Sequence, residues 1–242
     1  MIIEVPDSAQ QAVRLLAVRD EDPARPWDPP GRWWPEHPEV IGVRDRRAGG
    51  AWLAADPAGS RLSVLLNRAD GSSSGLPAAP NGLRSRGSLV LDAMSGREID
   101  DPPGTAGFNL LTVAGASATL TSWEGEVLRR SVLPPGVHMI AHHDADDSRS
   151  ARIERWLPEF RNLAGAGDDW RERWIELLTS TTALPIDDDR AIIRDNRSHG
   201  YPTMSLLVCT AEISGSTREL SLESATLTKP AVWAGHEFVR AI

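Results

Sequence analysis

The apolar residues of this chain come in runs of strand length, each closed by a turn signal, and that punctuation limits the fold more than any other feature. "GGAWLAAD" (49–56) and "RLSVLLNR" (61–68) are separated by Asp56-Pro57-Ala58-Gly59. Proline presets one backbone angle and glycine admits the left-handed region, so the segment reads as a hairpin with a loop of a few residues. "GFNLLTVAG" (107–115), "SATLTSWEG" (117–125) and "EVLRRSVL" (126–133) read as a meander turning at Gly115 and Gly125. "AVRLLAVRD" (12–20) is a further apolar run that ends on charges.

The period then lengthens. In "SRSARIERWLPEFRNL" (148–163), Ile153, Trp156, Leu157, Phe160 and Leu163 fall on one helical stripe. Pro158 removes a hydrogen bond inside that helix and invites a kink. In "DDWRERWIELLTS" (168–180), Asp168 or Asp169 can cap the start, and Trp170, Trp174, Leu177 and Leu178 form the buried face. These tryptophans are read as core rather than as a ligand stack. "DRAIIRD" (189–195) is one more short helix or strand. Strands return in "TMSLLVCTAEI" (203–213), "RELSLESATL" (218–227) and "HEFVRAI" (236–242), with no internal repeat. Strands, then helices, then strands predict an α+β fold with antiparallel sheets rather than alternating βαβ units.

At 242 residues and 40% hydrophobic, the chain can bury one core without metals or disulfides, so a single domain over 1–242 is expected. The net charge of −8 argues against a nucleic-acid partner, which needs a basic face. Arg44-Asp45-Arg46-Arg47 is read as a solvated loop in preference to an anion pocket. The single cysteine, Cys209, excludes an internal disulfide and a thiolate metal cluster, and its apolar setting "LLVCTA" makes it a packing residue. No apolar stretch reaches the roughly 18 residues of a membrane span, and no secretory signal is seen, so a cytoplasmic protein is expected. Residues 69–88, rich in Gly, Ser, Pro and Asn, are read as a mobile loop in preference to a ligand mouth. The oligomeric state is left open.

"PPGVHMIAHHDADD" (134–147) raises the question of a metal through His138, His142 and His143. The Pro-Pro-Gly before the segment and the Asp run after it argue for a strand. Residues four apart in a strand are separated by about 13 Å, too far to share a zinc bound at about 2 Å. No metal and no cofactor are expected. A nucleotide-binding glycine loop and a Gly-x-Ser-x-Gly elbow are also absent from the sequence.

"LLAVRDED", "ARPW", "IGVRDRRAGGAWLA", "LLNR", "SRGSLV", "GFNLL" and "LPPGVHMIAH" occur in one order between Leu15 and Leu163, with a fainter echo in "HGYPTMSLLV" (199–208). This ordered set resembles the NRDE-motif family, the transport and Golgi organisation family. The resemblance implies a four-layer αββα fold of the N-terminal-nucleophile hydrolase type, with two stacked antiparallel sheets and the first residues starting a central strand. It also implies a cysteine after the initiator Met, with its thiol as nucleophile and its own amine as base. This chain begins Met1-Ile2-Ile3. Ile2 offers no nucleophile, and the Met1 thioether cannot attack a carbonyl.

The family's Asn-Arg-Asp-Glu is Val18-Arg19-Asp20-Glu21 here. By resemblance, Arg19 and Asp20 line the nucleophile pocket, where they hold an amine or a ligand charge. The competing reading is a salt-bridged strand end. The family's Gly-x-His-x-Leu-Ser-Asn is matched by Gly136 to His142, which puts His142 where an oxyanion-binding Asn is expected. Asn67 of "LLNR" and Asn109 of "GFNLL" complete the ligand-binding set of Arg19, Asp20, Asn67, Asn109 and His142. Pro202 in "YPTMS" replaces a family Gly, whereas Gly49-Gly50, Trp52, Gly87 and Phe108 persist. The expectation is a kept fold that binds a small acidic or acyl ligand without hydrolysis, acyl-CoA or haem by resemblance. The alternative is an amide or thioester hydrolase, or an acyltransferase-like enzyme, with relocated chemistry through Arg19, Asp20 and His142. A purely structural interaction protein is the third reading.

Overall fold

The structure is a computed structural model that describes residues 1–68 and 83–242. Two antiparallel sheets account for the named strands. The first runs β10-β1-β2-β11-β12-β13: Gly136–Met139, Ile2–Val5, Val13–Glu21, Met204–Ile213, Leu220–Thr226 and Val239–Arg240. The second runs β3 to β9 in chain order: Trp27–Gly31, Ile41–Asp45, Ala51–Asp56, Arg61–Asn67, Phe108–Ala114, Ser117–Trp123 and Leu128–Val132. Helix α1 spans Gly87–Met94, α2 Ala151–Arg161 and α3 Trp170–Thr181.

Three apolar clusters define the layers. Ile3, Leu15, Ala17 and Leu207 of the first sheet meet Val43, Leu53, Val64 and Leu111 of the second in the central cluster. The next residues along the same strands, Ile2, Leu16 and Val208, face the other way and pack under Trp156, Phe160 and Trp174 of α2 and α3. Leu65, Phe108 and Leu110 of the second sheet pack under Leu89 and Val90 of α1. Successive side chains of a strand point to opposite faces. Strands covered on both faces therefore read as continuous apolar runs, and the layers follow the order α, β, β, α. Each fully buried large apolar side chain in these clusters contributes roughly 1.5–3 kcal/mol. Trp174, fully sealed and edge-on to Phe160 at 5.6 Å, is the main anchor of α3.

The expected hairpin is β5–β6 and the expected meander is β7–β8–β9. Both long helices form, and Pro158 sits within α2 without ending it. Asp169 occupies the N-cap position of α3 but makes no side-chain cap bond. β1 lies second from one edge of its sheet, between β10 and β2.

Other expectations need correction. "DRAIIRD" forms neither helix nor strand beyond one bridge, Asp195 to Met204. Its Ile192 and Ile193 are buried against α2, so packing rather than backbone pairing fixes it. "HEFVRAI" keeps only Val239–Arg240 as strand, because Trp233 and Phe238 turn away to pack on the α3 side. Arg44 and Asp45 are strand residues rather than a solvated loop. Asp45 is buried, holds Arg25 at 2.6 Å and accepts the N–H groups of Arg47 and Ala48. Of the loop expected over 69–88, residues 69–82 lie outside the described residues, and Gly87 and residue 88 open α1. The start of α1 rests directly on β5: a Cβ on Gly50 would come 2.4 Å from the Gly87 carbonyl carbon. That close approach is why glycine stands at both positions.

Candidate functional site

The site lies where β1, β2, β10 and β11 end beside the start of α2. Arg19 and Asp20 are consecutive on β2, so the pleat sends them to opposite faces. Arg19 continues the Leu15–Ala17 row into the space between the sheets, and Asp20 continues the Leu16–Val18 row toward α2 and α3. On β11, Ser205 pairs with Asp20 and Leu207 with Arg19, leaving Leu206 as the extra residue of a bulge. The bulge shifts the alternation by one and puts Ser205 on the same face as Asp20.

Arg19 is 9% exposed, makes no ion pair with a described residue, and has its Nε sealed without a hydrogen-bond partner. Burial lowers its pKa, opposed by Cys209, Asp20 and Glu21. Cys209 is no counter-ion, because burial pushes its thiol up to about 12 and keeps it neutral. A buried guanidinium without a partner is costly to keep.

On the other face, Asp20 accepts the Ser205 hydroxyl at 2.6 Å, and the Asn196 amide reaches it at 3.5 Å. Ser205 in turn accepts the backbone N–H of Arg194 at 3.0 Å. Arg194 is 4% exposed, with an unpartnered Nε and its nearest acid, Asp189, at 3.8 Å. Arg152, in the first turn of α2, is partly buried and makes no hydrogen bond or ion pair with a described residue. Burial and the charge of Arg194 lower its pKa to about 10, against the pull of Asp20 and Asp189. The Met1 amine donates to the Ile140 carbonyl at 3.1 Å and is lowered to about 5, first by burial and then by Arg152 and Arg19. Ile2 is fully sealed on the helix side.

His142 follows β10 and leans on His143, with ring centroids 4.4 Å apart. Surrounding protein, His143, Arg152 and Arg194 push its pKa down to about 4. The residue is exposed, so water offsets part of that shift, but the direction leaves a neutral ring at pH 7. Asn109 spends its amide on the loop carrying His142. It donates to Ala141 O at 3.1 Å and His143 O at 2.7 Å, and accepts from Arg68 at 3.2 Å and Ser122 at 2.7 Å. Arg68 adds ion pairs to Glu124 at 2.9 Å and Asp144 at 2.7 Å. Asn109 is thus a clamp between the second sheet and the His142 loop. Asn67 is exposed at the end of β6, on the Leu65 row that faces α1, and is not brought to the cluster.

His138 bonds Asp146 at 2.7 Å and the Pro134 carbonyl at 2.8 Å, so both ring nitrogens are engaged within the protein. Among the described residues, no three His, Cys, Asp or Glu side chains are grouped to hold a metal. Surface hollows of about 420 and 330 Å³ lie over α2 and between α2 and α3, and are lined by neither Arg19, Asp20 nor His142.

Sequence reasoning did not find Arg152, Arg194, Asn196 or Ser205. The signal for Arg194 was present: like Arg19, it ends an apolar run, Ala191-Ile192-Ile193. Arg152 looked like any polar position on an amphipathic helix.

Two stacked antiparallel sheets between helical layers, with Ile2 opening an inner strand, define an α+β protein. The family profile of Transport and Golgi organisation 2 matches residues 1–212, and the chain belongs to that family. No curated protein matches it. The matched span ends in β11, so β12, β13 and the Trp233–Phe238 segment lie beyond it.

Proposed function

We propose that this protein binds a small acidic or acyl ligand at the sheet end and does not hydrolyse it. The observation that carries this reading is the charge imbalance: Arg19 and Arg152 act on the Met1 amine, Arg194 acts on Arg152, and the acids set against them there are Asp20 and the exposed Asp189. Asp20 is already engaged by Ser205 and Asn196, so the cluster holds cationic donors in excess. Guanidinium forks suit carboxylate and phosphate. Ile2 supplies no attacking atom, and the Ser205 hydroxyl donates to Asp20. Family resemblance supplies acyl-CoA and haem as candidate ligands.

A second reading has one observation in its favour. A His142 ring that is neutral at pH 7 is available as a base, which suits an amide or thioester hydrolase, or an acyltransferase, with relocated chemistry. The test is to incubate the full chain with acyl-CoA thioesters and with haem, following binding and turnover separately. Saturable binding without thioester cleavage is the expected result. Cleavage that disappears in His142→Ala favours the second reading, and absence of both leaves a structural role.

A further inference from the structure

Arg152 and Arg194 belong to no motif that marked the site, yet their surroundings are the most specific in it. Arg194 is 4% exposed, its Nε has no partner, and Asp189 at 3.8 Å is a 70% exposed side chain. Such a pair at the surface is worth little. Arg152 lies close enough to feel the charge of Arg194, and like charges that act on one another are eased by an anion that reaches both. The two segments that carry them are locked together. The Arg194 backbone is tied to Ser205 in both directions, at 3.0 and 2.9 Å, and Ile192 and Ile193 are buried under α2. Trp156 of α2 donates to the Arg190 carbonyl at 2.7 Å, which locks the segment against the helix that carries Arg152.

The start of α2 adds donors. Ser150 makes no side-chain cap bond, and its carbonyl takes the N–H groups of Ile153 and Glu154. The N–H groups of Ala151 and Arg152 donate to no described residue. Free N–H groups and the positive end of the helix dipole favour an anion there.

We propose that Arg152, Arg194 and the opening N–H groups of α2 form a clamp for a phosphoryl group. The inference rests on the anionic-ligand reading above and names the chemical group that the site would recognise. A phosphoryl group brings three terminal oxygens and nearly two negative charges at neutral pH. It can therefore satisfy two guanidinium forks and a helix start together. A carboxylate has two oxygens and one charge, so it fills one fork and leaves the second arginine opposed. Asp20 does not do this work, because Ser205 and Asn196 hold its oxygens.

The test uses the full chain with inorganic phosphate, sulfate and acetate at matched ionic strength, read by calorimetric titration beside a thermal melt. Phosphate and sulfate should bind at least ten-fold more tightly than acetate. Arg152→Gln and Arg194→Gln should each lower phosphate affinity ten-fold or more, while Arg155→Gln on the exposed side of α2 should leave it unchanged. Arg152→Lys guards against loss of fold: it keeps the charge and helix but lacks the planar fork, and should still lose most of the affinity. Acetate binding as well as phosphate, or phosphate affinity that survives both Gln changes, overturns the clamp. Acyl-CoA binding that persists in folded Arg152→Gln would overturn the clamp for that ligand while leaving the broader reading intact. Phosphate binding without acyl-CoA or haem binding would do the reverse.

Discussion

Arg19 and Asp20 are chain neighbours on β2, yet Arg19 enters the space between the two sheets and Asp20 enters the space beneath α2. One is a sealed cation without a partner, and the other is held by Ser205 and Asn196. The family motif therefore contributes to two compartments, and the sheet end joins them at Met1, which feels both charges.

Replacing Arg19 with Met should stabilise the protein. The change removes a buried charge that makes no ion pair with a described residue and keeps an unbranched apolar stem. A gain of about 1–4 kcal/mol is expected in urea unfolding, accompanied by loss of any ligand that depends on Arg19. A destabilised variant would show that Arg19 has a stabilising partner.

His142 should not titrate in the usual histidine range. The unfolded chain takes up its proton near pH 6.5, whereas the folded ring does so only near pH 4. Its contribution is therefore neutral above 6.5, and stability is lost as pH falls from there toward about 4. The C–H resonances of the ring, followed by NMR from pH 8 to 5, should stay flat. A midpoint near 6.5 would contradict the crowded site.

The His138–Asp146 pair should give a stability optimum on the acid side of neutrality. Its hydrogen bond to Asp146 raises the His138 pKa, so that contribution is full below pH 6.5 and is lost as pH rises through the folded value. Asp146 is opposed by burial, but its bonds to His138 and Met139 hold its carboxyl below the usual 3.8. Its contribution is present above 3.8 and lost as pH falls through the folded value. Urea midpoints measured against pH should lose their alkaline decline in His138→Gln.

Asn109→Ala should loosen the His142 loop. The change leaves the Ala141 and His143 carbonyls and Ser122 without their common partner, a loss of about 1–3 kcal/mol. Hydrogen exchange should quicken at residues 141–144 more than in β1. Uniform exchange across the chain would deny Asn109 its clamp role.

Gly50→Ala should cost about 1–3 kcal/mol or more, because its methyl would meet the Gly87 backbone, which cannot swing aside as a side chain can. Gly49→Ala acts differently. Nothing lies within 4 Å of its added Cβ, and the expected cost comes from φ near +75°. Thermal melts of the two variants, compared with Gly49→Asn, separate contact from backbone strain, since Asn tolerates that region better than Ala.

Local patterning made most of the elements legible. The apolar runs of β2 and β5–β8 and the helical periods of α2 and α3 are set by which residues each element must bury, and burial is written directly into the order of residues. The short pieces were not legible. β3 carries Pro29-Pro30, and α1 starts on a glycine chosen for its contact with Gly50, so neither shows a local preference. Segment 189–195 looked regular because of its isoleucines, but α2 buries those side chains without requiring a regular backbone.

For the site, the sequence by itself determined that Arg19 and Asp20 stand together at the end of an apolar strand, and that Ile2 occupies the position of the expected nucleophile. Only the tertiary structure decided which charges share a compartment. The bulge at Leu206 turns Ser205 to Asp20, and the packing of residues 191–193 under α2 carries Arg194 to Arg152, 42 positions away in the chain. Strand alternation acts between neighbours and can be read along the chain. The meeting of two arginines depends on the packing of whole layers, which no local period records.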